Sequence, residues 1–213
     1  MSEEWYVMSS NKQYLSGYES EVFDNSYDIF DDLLTESPES YPVQVNNVAT
    51  DIIIQSTSDA NKRVVLSREN EVSLGDLIDH KTYKWLVTEL PINNRVYDKT
   101  EMTLCNNHLL IKGDPIKTKI GTDDLGRPVY DYQDQTLVDM PCVVQGDKDM
   151  YDYEQEQINI PKGSIVLHIQ HTDKIKVDQK FKMLNDDYVV TGIDMSKTIN
   201  NEGILIILAE KTQ

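Results

Sequence analysis

Short runs of alternating apolar and polar residues, each closed by a polar turn, recur from about Tyr41 to Lys211 and leave room for little but an all-β fold. "YPVQVNNVATDIIIQS" carries Val43, Val45, Ile52 and Ile54 in alternation around an Asn-Asn turn. "KRVVLSRENEVSLGDLI" gives two short strands about Arg68–Asn70, and "YKWLVTEL" gives another. "YDKTEMTLCNNHLLIKG" gives two more, separated by Asn106-Asn107, and "PIKTKIGTDDLGRPVYDY" reads as a hairpin turning between Asp123 and Gly126. "LVDMPCVVQG", "QINIPKGSIVLHIQ" and "GILIILAE" complete the series. Strands in this pattern, without helices alternating between them, point to a sandwich or barrel and away from a parallel α/β sheet. The expected fold is mainly β, a small barrel or sandwich with hairpin insertions, preceded by an acidic N-terminal arm carrying a short helix.

The arm is set off by charge. Through Ala60 there are twelve acidic residues against Lys12 alone, so this stretch holds −11 of the formal −17. Self-repulsion on that scale discourages collapse. Within it Phe23, Tyr27, Phe30 and Leu34 fall at i, i+4, i+7 and i+11, the spacing of one helical face. Asn25 or Ser26 supplies a start signal, and "ESPES" around Pro38 a stop. The predicted organisation is an arm over 1–40 and a β domain over 41–213, with a hairpin insertion around 113–135. These four apolar residues either pack locally or dock the arm on a neighbouring subunit.

Two passages resemble each other. "LGDLIDHKTYKWLVTEL" and "KFKMLNDDYVVTGID" are each preceded or opened by a polar pair (Gly75-Asp76, Asp178-Gln179), followed by a hydrophobic residue (Leu77, Phe181), a polar turn, and a tyrosine (Tyr83, Tyr188) leading an apolar run. Period-two alternation puts Tyr83 on the face of Trp85 and Val87. With one gap in the alignment, the two read as one hairpin solution used twice, and Gly75 suits a bulge or bend.

The chemistry that composition allows is narrow. A net charge of −17 opposes gripping nucleic acid or anionic membrane, both of which need Lys and Arg. No apolar run approaches the roughly 20 residues of a membrane span, and the opening residues carry no secretion-signal pattern. Cys105 and Cys142 make neither a disulfide framework nor a metal knuckle and read as free thiols. No phosphate loop, dinucleotide fingerprint, nucleophile elbow or zincin motif occurs. His168 and His171, three apart in a strand, face opposite ways, and "TDDLG" reads as a turn because it lacks the ligand spacing of a calcium loop. The expectation is a protein that is not an enzyme and needs no metal or cofactor. Twelve tyrosines, and hydrophobic residues at only 39%, suit a subunit that completes its burial against partners.

From Trp85-Leu86-Val87 through Tyr97 to Cys105-Asn106-Asn107, and again from Phe181 to Asp194 with the strand "NNEGILIILAEK", the chain resembles neck proteins of tailed bacteriophages of Gram-positive hosts, the head-closure or head–tail connector components. The resemblance implies a structural virion protein, assembled in the host cytoplasm as a homo-oligomeric ring, a dodecamer, between portal or adaptor protein and tail protein. DNA would pass its channel without specific binding, and no membrane would be involved. Tyr83, Trp85, Tyr97, Cys105, Asn106, Phe181 and Tyr188 become core or interface anchors, and Phe23, Tyr27, Phe30 and Leu34 the docking arm. A tail-side structural protein, such as a terminator or tube-associated protein, is the alternative. A carbohydrate-binding β module comes after it, with only Trp5 and Trp85 available for stacking.

Overall fold

Asn46 and Asn47 sit in the left-handed region (φ 48° and 69°) and turn the chain tightly between Val45 and Val48, the conformation a two-residue hairpin requires. This turn joins β1 (Ser40–Val45) to β2 (Val48–Ser56) in a computed structural model that describes residues 17–112, 116–123, 125–133, 137–145 and 163–212. β3 (Lys62–Ser67), β4 (Leu77–His80), β5 (Tyr83–Val87), β6 (Ile92–Asn93) and β7 (Asp98–Leu104) follow. The antiparallel order is β3-β2-β1-β4-β5-β7, and β7 pairs back onto β3, so six strands close into a barrel with β6 appended to β7. Closure removes the unpaired edges that would otherwise invite another strand. Alternate residues Val43, Val45, Ile52, Ile54, Ile78, Trp85 and Met102 fill the interior.

A second unit begins at Cys105, and the contacts of the chain divide between Leu104 and Cys105. It comprises β8 (Asn107–Lys112), β11 (Leu137–Gln145), β12 (Ser164–Gln170), β13 (Lys180–Met183), β14 (Asp186–Asp194), β15 (Thr198–Ile199) and β16 (Glu202–Lys211). Their order is β13-β14-β16-β12-β11-β8, with β15 on β16, and β13 lies beside β8 without forming a ladder with it. The core holds Leu109, Ile111, Leu167, Ile169, Phe181, Leu205 and Ile207. Between β8 and β11 a separate two-stranded ribbon, β9 (Ile116–Thr122) and β10 (Pro128–Gln133), belongs to neither barrel sheet.

The two units are one topology used twice. β1, β2, β3, β4, β5 and β7 correspond in order and in neighbours to β8, β11, β12, β13, β14 and β16. The agreement reaches single bonds. Gly75 N donates to Val87 O and Val87 N to Asp76 O; Asp178 N donates to Val190 O and Val190 N to Gln179 O. Ser73 N donates to the Asp76 carboxylate and Lys176 N to the Gln179 side-chain oxygen. Gly75 and Asp178 share the left-handed backbone (φ 86° and 68°), which Asp tolerates better than most residues. Ile78 faces Trp85 as Phe181 faces Tyr188.

These registers align the repeated passages without a gap. Ile78 and Phe181 correspond, where the sequence had suggested Leu77 and Phe181. Trp85 matches Tyr188, where Tyr83 had been the expected match. The inside-facing position is conserved in geometry while its aromatic changes identity, which a comparison of letters misses. Residues 113–136 then stand where barrel one has only its Asn46–Asn47 turn, so the ribbon is an insertion in that turn. Asn106-Asn107 falls between two strands as read, β7 ending at Leu104 and β8 beginning at Asn107, but it also opens the second unit, and β7 and β8 do not pair.

The helix α1 (Gly17–Glu36) starts earlier than Asn25 and ends just before Pro38, with Ser37 N still donating to Leu33 O at 3.0 Å. Phe30 and Leu34 are buried with Ile53 of β2, against Leu66, Val96 and Tyr97. The boundary read at residue 40 therefore lies within the first unit, whose barrel provides the surface this helix covers. Burying two such side chains contributes about 1.5–3 kcal/mol each, which offsets the helix's acidic self-repulsion.

Candidate interaction surface

Three features of the first unit converge on one flank. Phe30 stacks on Tyr97 with ring centroids 5.1 Å apart and planes at 26°. The Tyr27 hydroxyl donates to the Arg95 carbonyl, and Arg68 Nε donates to Asp31 Oδ1 at 2.8 Å. Beside Tyr97 an open groove of ≈ 500 Å³ is lined by Glu89, Leu90, Ile92, Asn94, Lys99, Thr100 and Glu101. Leu90 and Ile92, which line it, are exposed apolar side chains. Ile29 and Leu33 are exposed, about 100° around α1 from the buried Phe30 and Leu34, with Asp32 and Glu36 next to them on the far side. The helix thus has one wide apolar arc, covered along its Phe30–Leu34 edge and open along Ile29 and Leu33.

The loops that frame this flank are held by side chains whose roles the sequence did not disclose. Asp98 is buried, accepting Asn70 N at 2.8 Å on one oxygen and Asn93 Nδ2 at 2.8 Å on the other. It ties two loops to the strand, so its charge is spent on structure. Asn46 accepts Leu77 N at 3.0 Å and donates to Asp76 Oδ1 at 2.6 Å, latching the seam between β1 and β4. At the matching position of the second barrel stands Lys112, and there the corresponding seam carries no ladder.

The anticipated anchors separate into classes. Trp85, Phe181 and Tyr188 are buried, with Phe181 stacked on Tyr188 at 5.8 Å. Tyr97 is half-buried under Phe30. Asn106 makes a two-bond clasp with Val144, donating to its carbonyl at 2.9 Å and accepting its N–H at 2.8 Å. Cys105 is half-buried, whereas Cys142 is fully buried, and burial pushes its thiol up to about 12. Tyr83, expected as a core or interface anchor, is not in the core: it is 59% exposed, because it is the first residue after the turn and sits at the strand's rim opposite His80. Phe30 and Leu34 pack on their own barrel, Tyr27 is largely exposed, and the side chain of Phe23 lies outside the described residues.

Titratable chemistry is sparse among the described residues. His168 is buried in β12, and burial, aided by Lys197, lowers it to about 4. Burial and the neighbouring Lys81 and Arg63 also lower His80. Asp123 accepts Leu125 N at 3.0 Å and Arg127 N at 2.7 Å, so "TDDLG" is a hairpin turn whose carboxylate serves the backbone. No cluster of three His, Cys, Asp or Glu groups suited to a metal ion occurs among the described residues. No described helix is long and apolar enough to cross a membrane.

Two family models together span nearly the whole chain. Residues 4–104 match the YomX N-terminal domain and residues 98–210 the YomX C-terminal domain. The chain belongs to the YomX family. It is similar to the SPbeta prophage-derived uncharacterized protein YomX of Bacillus subtilis (strain 168), 23% identical over 180 residues that cover 81% of this chain and 83% of that protein. No solved structure matches the chain. The N-terminal match ends with the first unit at residue 104, while the C-terminal match begins at residue 98, so the two overlap over β7.

Proposed function

We propose that this YomX-family protein is a structural component of a tailed phage particle, a head–tail connector of the head-closure type that assembles with copies of itself into a ring between portal and tail. The observation that carries the reading is the pairing of a prophage-derived relative with a tandem of two small barrels whose aromatic motifs are spent on packing. Trp85, Phe181 and Tyr188 fill interiors, Asp98, Asn46 and Asn106 hold loops and seams, and the remaining exposed apolar groups are distributed as contact surface. Rigid walls with greasy outer patches suit assembly. A strong negative charge suits a part that borders moving DNA, since it repels phosphate and discourages adhesion. The ring would be completed without metal or cofactor, and no membrane is required.

The test is to purify particles from a host producing the phage and label this protein with antibody-gold. Label at the junction of head and tail, at a copy number consistent with one ring, supports the connector. Label along or at the end of the tail favours the tail-side alternative. Absence from particles removes the structural reading altogether.

A further inference from the structure

We propose that the second barrel is built to part along the seam between β8 and β13, a seam that the first barrel keeps latched. The inference stands whether or not the protein assembles with copies of itself.

The registers let the two seams be compared residue by residue. With Trp85 matched to Tyr188, the pairings run around each barrel and return Val43 as the counterpart of Leu109 and Asn46 as that of Lys112. With Ile78 matched to Phe181, Leu77 and Asp79 become the counterparts of Lys180 and Lys182. In the first barrel Gln44 pairs with Asp79, Asn46 N donates to Leu77 O at 2.9 Å, and the Asn46 side chain adds its own two bonds. In the second barrel Leu110 and Lys112 take the places of Gln44 and Asn46, across from Lys182 and Lys180, and no ladder joins them.

The backbone groups at this seam point at each other nonetheless. Asn106 takes both the N–H and the carbonyl of Val144, so Val144 turns its backbone towards β8, and Cys142 two residues earlier does the same. Cys142 opposes Asn107, so Asn107, Leu109 and Ile111 bond to β11, while Leu110 and Lys112 turn theirs to the seam. On β13 the left-handed pair Leu184-Asn185 makes a two-residue turn closed by Met183 and Asp186. Phe181 therefore bonds to β14, and Lys180 and Lys182 face the seam.

Side-chain chemistry accounts for the missing ladder. Neither strand carries an acid: β8 reads NHLLIK and β13 reads KFKM. Lysines at facing positions oppose pairing, and lysine on an open edge also discourages a foreign strand from adding to it. Lys180 is exposed, and Lys182 lies 3.9 Å from Asp187 within its own hairpin. Packing closes the seam where the first barrel has a ladder, since Leu109, Ile111, Phe181 and Met183 share one buried cluster. Residues 113–136 follow Lys112 directly, so the ribbon insertion stands in the latch's place. A load on the ribbon then falls on the strand pair that backbone bonds do not hold.

Amide exchange resolved by NMR on the full chain, at low denaturant, tests this. Leu109 and Phe181 are bonded in ladders on their other side, so their amides exchange when an edge strand swings away. They should exchange about tenfold faster than Leu167 and Ile207 in the middle of the same barrel, whereas their counterparts Val43 and Ile78 should stay within roughly threefold of Val65 and Met102. Lys180→Glu sets opposite charges at facing positions and should slow Leu109 and Phe181 roughly threefold without changing Val43 and Ile78. Circular dichroism confirms that the variant folds, and the wild-type comparison decides the proposal if it does not. Leu109 and Phe181 exchanging in step with Leu167 and Ile207, or a folded Lys180→Glu chain that exchanges as the wild type does, would overturn it.

Discussion

Asn46→Ala should loosen the first barrel and leave the second untouched. The substitution removes two side-chain hydrogen bonds, from Leu77 N at 3.0 Å and to Asp76 Oδ1 at 2.6 Å. Each is worth about 0.5–1.5 kcal/mol, toward the lower end here because Asn46 is exposed. It also places alanine at a φ of 48°, where a β-carbon costs about 1–2 kcal/mol and asparagine less. Together these give a loss of about 2 kcal/mol, or a lowering of the first unit's melting point by roughly 8–16 °C for a domain near 100 residues. The chain has two tryptophans, Trp5 and Trp85, and Trp85 lies in the first barrel's core. In a Trp5→Phe background, indole fluorescence therefore follows the first barrel, while far-ultraviolet circular dichroism follows both. Asn106→Ala, which breaks the clasp on Val144, is the mirror experiment and should shift only the second transition. An Asn46→Ala chain whose Trp85 transition is unmoved would refute the assignment of Asn46 as the seam's latch.

Other consequences can be measured on the same protein. Phe30→Ala should cost about 3–5 kcal/mol of helix docking, read as fast amide exchange over α1 while the β1–β7 strands stay protected. Gly203→Ala should severely destabilise the second barrel, because a β-carbon at its φ of 119° collides with the Lys197 carbonyl oxygen; its melting midpoint is the readout. Because folded His168 titrates near 4 and an unfolded histidine near 6.5, the unfolded state binds the extra proton between those values. Stability of the second barrel should therefore fall as pH drops from 6.5 to 4, by at most about 3 kcal/mol, and level off below. His168→Gln should flatten that slope. Cys105 should react with a thiol reagent in the native protein, and the buried Cys142 only on unfolding.

Much of the architecture was legible because strand periodicity and turn chemistry are local signals. Val43 and Val45, the Asn46–Asn47 turn and the Asp123–Gly126 turn could be read directly, since each depends on neighbours in sequence. The inward stripe of α1 was legible for the same reason at Phe30 and Leu34. The split at Leu104 and Cys105 was not, because pairing β7 with β3 and β5, and β8 with β11, depends on partners tens of residues away. Nor was the gapless repeat, since burial of Ile78 and Phe181 at one geometric position leaves little trace in identity. Tyr83 shows the limit of alternation: it shares a strand face with Trp85, yet the strand begins at the rim and leaves it in water. Asp98 and Asn46 were invisible as latches because a carboxylate or amide reveals its partner only after folding. The exposed edge of the helix's apolar arc, Ile29 and Leu33, was overlooked beside the buried residues.

We propose that two barrels of one strand order, fused in a single chain, present exposed apolar surfaces that identical neighbours cover. Single-particle imaging of the purified full-length protein tests it most directly. Closed rings in which each subunit contributes two barrels of matching strand order are the predicted result. Uniform, separate monomers at high concentration would contradict it.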